Sequence, residues 1–334
     1  MKAVLSSMLA ESLDPEESLY DLFQPLVLFG NGFGLCFKTT SQSFALKSAL
    51  FVYYIMTGFF VTTPIVVMLL DVSVNRNTDT WLNQKTLMQV IALGFYTIGL
   101  SSHLVFGRMQ VAKMTEVSNI LLKEIDKSAL PHRTYLRRVS AVLAVLTVIL
   151  ALLNVVVILT GFANDTFLYM PFVTKDPRII WVNIPFFFYP TMTMSYCCAF
   201  YAVLCSLVAL NLRSLGDAML HDKGAVPILT YERKYQMLHE ASKCINKHFS
   251  SLCFLIFFLA IPMLCVQLYW LMMSNDDGEK TSALLFWIVI TVSMLCCYVI
   301  PAVQIFEKGD ALLETVFKMH YQCHRSALGV QVRP

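Results

Sequence analysis

Six stretches of the chain contain no Asp, Glu, Lys or Arg, and they constrain the fold more than any other feature. Each has at least 21 residues. An α-helix rises about 1.5 Å per residue, so a helix of about 20 residues crosses the hydrocarbon core of a bilayer. We therefore predict an all-α, polytopic membrane helical bundle with six spans: Ala49–Leu70, Thr86–Phe106, Val139–Phe162, Ile180–Leu212, Phe249–Met273 and Ser282–Phe306.

The amino-acid composition agrees with a membrane protein. Apolar residues make up 57% of the chain and charged residues 14%, whereas soluble domains average about 45–50% and about 25%. An ion at the bilayer centre costs about 2.5–3.5 kcal/mol even on the insertion scale, and all 25 basic and 22 acidic residues lie outside the six segments. A soluble domain is excluded, and a net charge of +3 gives no indication of a nucleic-acid partner.

The basic residues are divided unequally between the two sides of the membrane, with 20 on one side and five on the other. Because Lys and Arg concentrate in cytoplasmic loops, we predict a plasma-membrane protein with a cytoplasmic N-terminus. The predicted cytoplasmic parts are the N-terminal arm 1–47, the loops 107–138 and 213–248 of the six-span domain 48–306, and the tail 307–334. The predicted outer loops are 71–85, 163–179 and 274–281.

The two inner loops are patterned as helices. Each exceeds 30 residues, and the second contains Met237, Leu238, Ala241 and Ile245 at helical spacing. The fourth uncharged segment has 33 residues, or about 50 Å as a helix, which exceeds the bilayer thickness. We therefore predict that helices extend from the spans into the cytoplasm.

The uncharged run Leu22–Phe37 allows two arrangements. Its 16 residues reach about 24 Å as a helix, short of the hydrocarbon core of about 30 Å, and Pro25 and three glycines weaken the helix further. These features favour an interfacial or re-entrant segment. A seventh span here would move only the N-terminus to the outside, and the charge distribution does not distinguish the two.

Cysteines and the glycosylation signal fit the same topology. All ten cysteines lie in spans or on the predicted cytoplasmic side, so no disulfide framework is expected. The sequon Asn164-Asp165-Thr166 lies in an outer loop, which makes Asn164 the candidate glycosylation acceptor.

Catalytic and cofactor motifs are absent from the sequence. It contains no G-x-x-x-x-G-K-[ST], H-E-x-x-H or G-x-S-x-G. His320 and His324 would share a helical face, but no third ligand accompanies them. We predict no enzyme activity, metal or cofactor. The uncharged spans also argue against ion-coupled transport and voltage sensing, which use ionisable residues inside the membrane.

Neutral polar and aromatic side chains cluster in the predicted outer halves of the spans. Amides, hydroxyls and indoles in an apolar bundle could line a pocket for a neutral small molecule. The same residue types also form interfacial aromatic belts and helix-to-helix hydrogen bonds, so both interpretations stay open. The candidate ligand-binding residues are Gln89, Asn154, Asn183, Tyr189, Thr191, Gln267, Tyr269, Trp270, Trp287 and Thr291.

The segment Leu19-Tyr20-Asp21-Leu22-Phe23-Gln24-Pro25-Leu26, followed by Gly34-Leu35-Cys36-Phe37, precedes the first span. In these residues, and in its short outer and long inner loops, the chain resembles the insect gustatory receptors of the insect chemoreceptor superfamily. The resemblance implies a homo- or hetero-tetrameric, ligand-gated cation channel for taste perception in chemosensory neurons. It also implies that a small neutral tastant binds between the outer halves of the spans and that the cytoplasmic extensions form a shared anchor.

The chain departs from that family at its C-terminal end. The family's motif, Thr-Tyr followed by five residues and Gln-Phe, lies in a seventh span, whereas this sequence stops 28 residues after the sixth uncharged segment. We therefore expect a member that lacks the last transmembrane segment, and no pore residue is assigned.

Two alternatives follow from these features. One is a non-conducting truncated partner subunit. The other is a G-protein-coupled receptor, if Leu22–Phe37 spans the membrane, but Gly107-Arg108-Met109 and Ile300-Pro301-Ala302-Val303-Gln304 do not match the motifs of that class.

Overall fold

The computed structural model describes Leu26, Gly30, Phe33 and the ranges 44–74, 84–112, 130–163, 180–221, 228–273 and 278–331. These ranges form α-helices, each of which contains one of the uncharged segments predicted from the sequence; the fourth begins with the 3-10 turn Ile180–Asn183. The prediction of an all-helical bundle is confirmed. The helices are α1 Phe44–Val74, α2 Gln84–Ala112, α3 Leu130–Ala163, α4 Ile184–His221, α5 Ile228–Met273 and α6 Gly278–Gln331.

The helices are long and apolar enough for a multi-pass membrane protein. Five of them contain segments that can cross a bilayer: Phe51–Asp71, Thr134–Thr160, Trp181–His221, Thr230–Met272 and Thr281–Lys318. The apolar part of α2 is shorter, at Gln89–Val105. Its helix nevertheless has 29 residues and is about 43 Å long, enough to cross the hydrocarbon core.

Four helices continue beyond their uncharged segments toward the same side of the bundle. α3 and α5 begin before those segments, at Leu130 and Ile228, while α4 and α6 continue past them to His221 and Gln331. The extensions of α4 and α6 pack together, because a Cβ added at Gly216 would lie 3.6 Å from Leu312 Cδ1. The predicted tail is therefore helical as far as Gln331 and continuous with the sixth span.

Helix α4 is the centre of the bundle. It contacts each of the other five helices, and 78% of its apolar segment is buried, compared with 22% to 33% in the other four spanning segments. The buried residues of α4 therefore occur on every face of the helix and not on one stripe. The other helices bury one face each, so their remaining apolar faces are available to lipid or to other chains.

Two described residues of the N-terminal segment, Leu26 and Phe33, contact α4. The Tyr196 hydroxyl donates a 2.6 Å hydrogen bond to the backbone carbonyl of Leu26, which is fully buried. About two helical turns closer to the N-terminus of α4, the rings of Phe188 and Phe33 lie 5.6 Å apart. Phe188 and Tyr196 are eight residues apart, or about 12 Å along the helix.

Glycines allow close approaches between α2 and its neighbours. A Cβ at Gly94 would lie 2.5 Å from the Met263 sulfur on α5, and a Cβ at Gly99 would lie 3.3 Å from the Pro190 carbonyl oxygen on α4. Small residues at helix interfaces are the usual means of close packing in membranes. These contacts fix α2 between α4 and α5.

Candidate functional site

The predicted site residues are distributed over several helix pairs. Between α3 and α4, the Asn154 side-chain amide donates a 2.8 Å hydrogen bond to Thr191 Oγ1. The Thr191 hydroxyl in turn donates to the Phe187 carbonyl at 2.9 Å. Asn154 and Thr191 are both buried, and this arrangement locks α3 to α4.

A second group joins α5 to α6 and contains four of the predicted residues. Thr291 lies on α6 with its hydroxyl 3.4 Å from Gln267 Oε1 on α5, and that hydroxyl donates to the Trp287 carbonyl at 2.9 Å. Trp287 lies one helical turn from Thr291 and stacks on Phe95 of α2, with the ring centroids 6.2 Å apart. Trp270 is partly buried and packs against the hydrophobic core of the bundle. An amide, a hydroxyl and flat aromatic surfaces therefore meet where α2, α5 and α6 converge.

The amide of Gln267 makes one long contact among the described residues. Gln267 is 1% exposed, yet its Oε1 lies 3.4 Å from the Thr291 hydroxyl, which is long for a hydrogen bond that involves a hydroxyl. Thr291 has a single hydroxyl proton, which the Trp287 carbonyl already accepts. Whichever way the amide is turned, Thr291 satisfies only one of its ends, and the other end has no partner among the described residues.

Tyr189 belongs to an aromatic cluster between α1 and α4. Its hydroxyl lies 3.1 Å from that of Tyr53, and its ring stacks on Phe60 with centroids 5.5 Å apart. Phe186 contacts the same Phe60 ring edge-on. Because Tyr53 lies near the N-terminal end of the first uncharged segment, the Tyr189 hydroxyl reaches the inner half of α1 and lies away from the α5 and α6 group.

The remaining predicted residues occupy different surroundings. Gln89 donates a 2.6 Å hydrogen bond to the Asp71 carboxylate and joins the outer ends of α1 and α2. Asn183 is buried in the 3-10 turn before α4, whereas Tyr269 is half exposed on the surface of α5. Asn164, the candidate glycosylation acceptor, lies outside the described residues.

Phe95 and His103 are not among the site residues predicted from the sequence. Phe95 stacks on Trp287. In the sequence, the one nearby indication that Phe95 lies at a helix interface is its neighbour Gly94, a residue type that permits close helix packing. His103, the single histidine in the six uncharged segments, is 3% exposed and its ring stacks on Tyr54 with centroids 4.1 Å apart. Among the described residues, no group of three or more His, Cys, Asp or Glu side chains could hold a metal. The described side chains of the site can therefore form hydrogen bonds and aromatic stacking contacts.

Comparison with known proteins identifies the sequence relationship. A family model described as 7tm Chemosensory receptor matches residues 22–332. Gustatory receptor family protein 3 of Caenorhabditis elegans is 28% identical over 120 residues, which are 35% of this chain and 24% of that protein. High-energy light unresponsive protein 1 of the same nematode is 22% identical over 128 residues, which are 35% of this chain and 29% of that protein. The matched part thus spans about a quarter of the length of these curated relatives.

A solved insect chemoreceptor structure shares the fold. The insect olfactory receptor OR5 from Machilis hrabei superposes with a TM-score of 0.64 at 13% sequence identity, covering 89% of this chain and 81% of that receptor. At this identity the likeness concerns the fold alone.

Proposed function

Because the chain belongs to the 7tm chemosensory receptor family, we propose that it is a gustatory receptor subunit of a ligand-gated cation channel that detects a small neutral tastant. The family match runs through nearly the whole chain, and one curated relative is named a gustatory receptor family protein. The chain is a receptor and not an enzyme. Its proposed setting is the plasma membrane, with the N-terminus in the cytoplasm and four subunits, identical or mixed, in each channel.

The observation that carries the proposal is the incompletely bonded amide of Gln267 beside Trp287 and Thr291. An unsatisfied buried polar group costs about 1–3 kcal/mol, so a ligand that supplies the missing donor or acceptor gains that free energy on binding. Flat aromatic surfaces from Trp287 and Phe95 lie next to the amide. The absence of formal charge from the spans favours a ligand that is neutral.

Ligand binding between α5 and α6 has a direct route to the rest of the subunit. α6 is one continuous helix of 54 residues, so a displacement at Thr291 moves its cytoplasmic extension as well. That extension packs on α4 at Gly216. A ligand that changes the spacing of α5 and α6 would therefore change the packing of the proposed anchor.

Electrical recording from cultured cells tests the proposal. The chain is expressed alone and together with other subunits of the family, and neutral sugars, alcohols and uncharged bitter compounds are applied while membrane current is measured. We expect a ligand-evoked cation current that persists in excised patches without GTP. A current that requires GTP would overturn the channel proposal in favour of a G-protein-coupled receptor, and a current that appears only with a second subunit would assign this chain the partner role.

A further inference from the structure

The outward face of α3 combines basic residues at one end with an apolar stripe above them. α3 packs on the bundle through one face, where Leu136, Ser140 and Ala144 are buried. The opposite face carries exposed residues at intervals of three and four, which places them on one line along the helix. They are Arg138, Val142, Val145, Ile149, Leu152 and Val156.

Arg138 adjoins the inner end of the third predicted span, where a membrane helix meets the lipid headgroups. It immediately precedes Val139, the first residue of the third uncharged segment, and Arg137 beside it is also exposed. Tyr135, 56% exposed, adds an aromatic residue of the kind found at membrane interfaces. The distance along the helix from Arg138 to Ile149 is about 16 Å, close to half of the hydrocarbon core of about 30 Å and thus to one leaflet.

Arg138 has no acidic neighbour on its own helix. Leu130–Ala163 contains three arginines and no Asp or Glu. The extensions of α4 and α6, in contrast, carry ion pairs: Arg213 on α4 pairs with Asp217 at 3.9 Å, and Lys318 on α6 pairs with Glu314 at 2.8 Å. No ion pair involves Arg138 among the described residues, so its charge is available to an external anion.

We propose that this face of α3 binds an anionic phospholipid from the adjacent leaflet. The lipid phosphate contacts the guanidinium group of Arg138, and an acyl chain lies along Val142, Val145 and Ile149. Guanidinium groups bind phosphate through two parallel hydrogen bonds, and basic residues beside a span attract anionic lipids. The apolar stripe would add nothing to the binding of a soluble phosphate, which is why a lipid is the expected ligand.

Native mass spectrometry of the purified full chain tests this proposal. The protein is exchanged into mixed micelles containing equal amounts of phosphatidylserine and phosphatidylcholine, and the lipids that remain bound are counted. We expect the wild-type chain to retain phosphatidylserine preferentially. R138Q should lower that preference about fivefold, from a contribution of about 1 kcal/mol per basic residue near the surface. Raising the salt to about 0.5 M should weaken it as well, because the contact is exposed.

The matched control is K318Q, which also removes one positive charge. Lys318 lies 12 residues past the sixth uncharged segment and is already paired with Glu314, so its loss should leave lipid retention unchanged. Equal retention of the two lipids by the wild-type chain would overturn the proposal, as would an unchanged preference in R138Q. An equal loss in K318Q would reduce the effect to net charge. Full displacement of the lipid by glycerol phosphate would overturn the role of the apolar stripe.

Discussion

The amide of Gln267 and the amide of Asn154 are both buried inside the membrane, yet their hydrogen bonds differ. Asn154 donates a short bond of 2.8 Å to Thr191, whereas Gln267 has only the 3.4 Å contact with Thr291. Residue type and depth do not distinguish the two side chains, but bond geometry does. The first bond holds α3 to α4, and the second side chain is the one that we propose to bind a ligand.

At Gln267, substitution should affect ligand response more than stability. The variant Q267M replaces a poorly satisfied amide with an apolar group of similar length, a change that we expect to be close to neutral for folding. We expect the thermal midpoint of the unliganded protein to change little. The ligand concentration for half-maximal current should rise at least about tenfold, which corresponds to the loss of about 1.4 kcal/mol of hydrogen bonding to the ligand. The control Y269F alters a half-exposed hydroxyl on the same helix and should leave the ligand response intact.

At Asn154, the opposite pattern is expected. N154V removes the donor to Thr191 and should lower stability by about 0.6–2 kcal/mol, the range for hydrogen bonds between membrane helices. Thermal unfolding in detergent measures this effect, and recording measures the ligand response, which should keep its half-maximal concentration. A tenfold loss of ligand potency without loss of stability would place Asn154 in the binding site instead.

At the scale of the helices, close packing of α2 depends on the absence of a side chain at Gly94. A leucine there would collide with Met263, whose sulfur lies 2.5 Å from the position of the added Cβ. We expect G94L to destabilise the bundle by about 1–3 kcal/mol, the usual cost of overpacking, and the smaller side chain in G94L/M263A to restore part of that loss. The control is G309L, because nothing lies within 4 Å of a Cβ added at Gly309. Equal thermal midpoints for G94L and G309L would contradict the tight α2 and α5 contact.

The docking of the N-terminal segment on α4 depends on Tyr196. Y196F removes the 2.6 Å hydrogen bond to the Leu26 carbonyl and leaves a buried carbonyl without that donor, at a cost of about 1–3 kcal/mol. We expect faster hydrogen exchange in residues 22–37 and little change in α5 or α6. Unchanged exchange in that segment would show that the packing of Leu26 and Phe33 is sufficient without the hydrogen bond.

At the scale of the whole molecule, the distribution of charge predicts which side of the bundle faces the cytoplasm. An epitope tag at Met1 should bind antibody only after the cells are permeabilised, whereas a tag inserted in the loop 274–281 should be accessible on intact cells. The reason is the excess of 20 basic residues over five on the side of the N-terminus. Labelling of the Met1 tag on intact cells would instead support an additional span at Leu22–Phe37.

The helices could be predicted from the sequence because their cause is local. A charge is excluded from lipid wherever it falls in the chain. The uncharged segments therefore locate α1 to α6 even when the neighbouring helices are unknown. The helical extensions of α4 and α5 were also visible, since Leu238, Ala241 and Ile245 lie on the buried face of α5. The hydrogen-bond partners of Asn154 and Gln267 could not be predicted, because Thr191 and Thr291 are 37 and 24 residues away in the sequence.

The sequence by itself determined that this protein is a helical membrane bundle, because the cost of burying a charge in lipid acts on each residue separately. Only the tertiary structure decided that α4 occupies the centre, that Phe95 faces Trp287 and that Gln267 has an incompletely satisfied amide. These properties depend on which helices are adjacent and on how each is rotated about its axis. Within an apolar segment, many pairings and rotations have similar hydropathy, and packing at residues such as Gly94 and Gly99 selects among them.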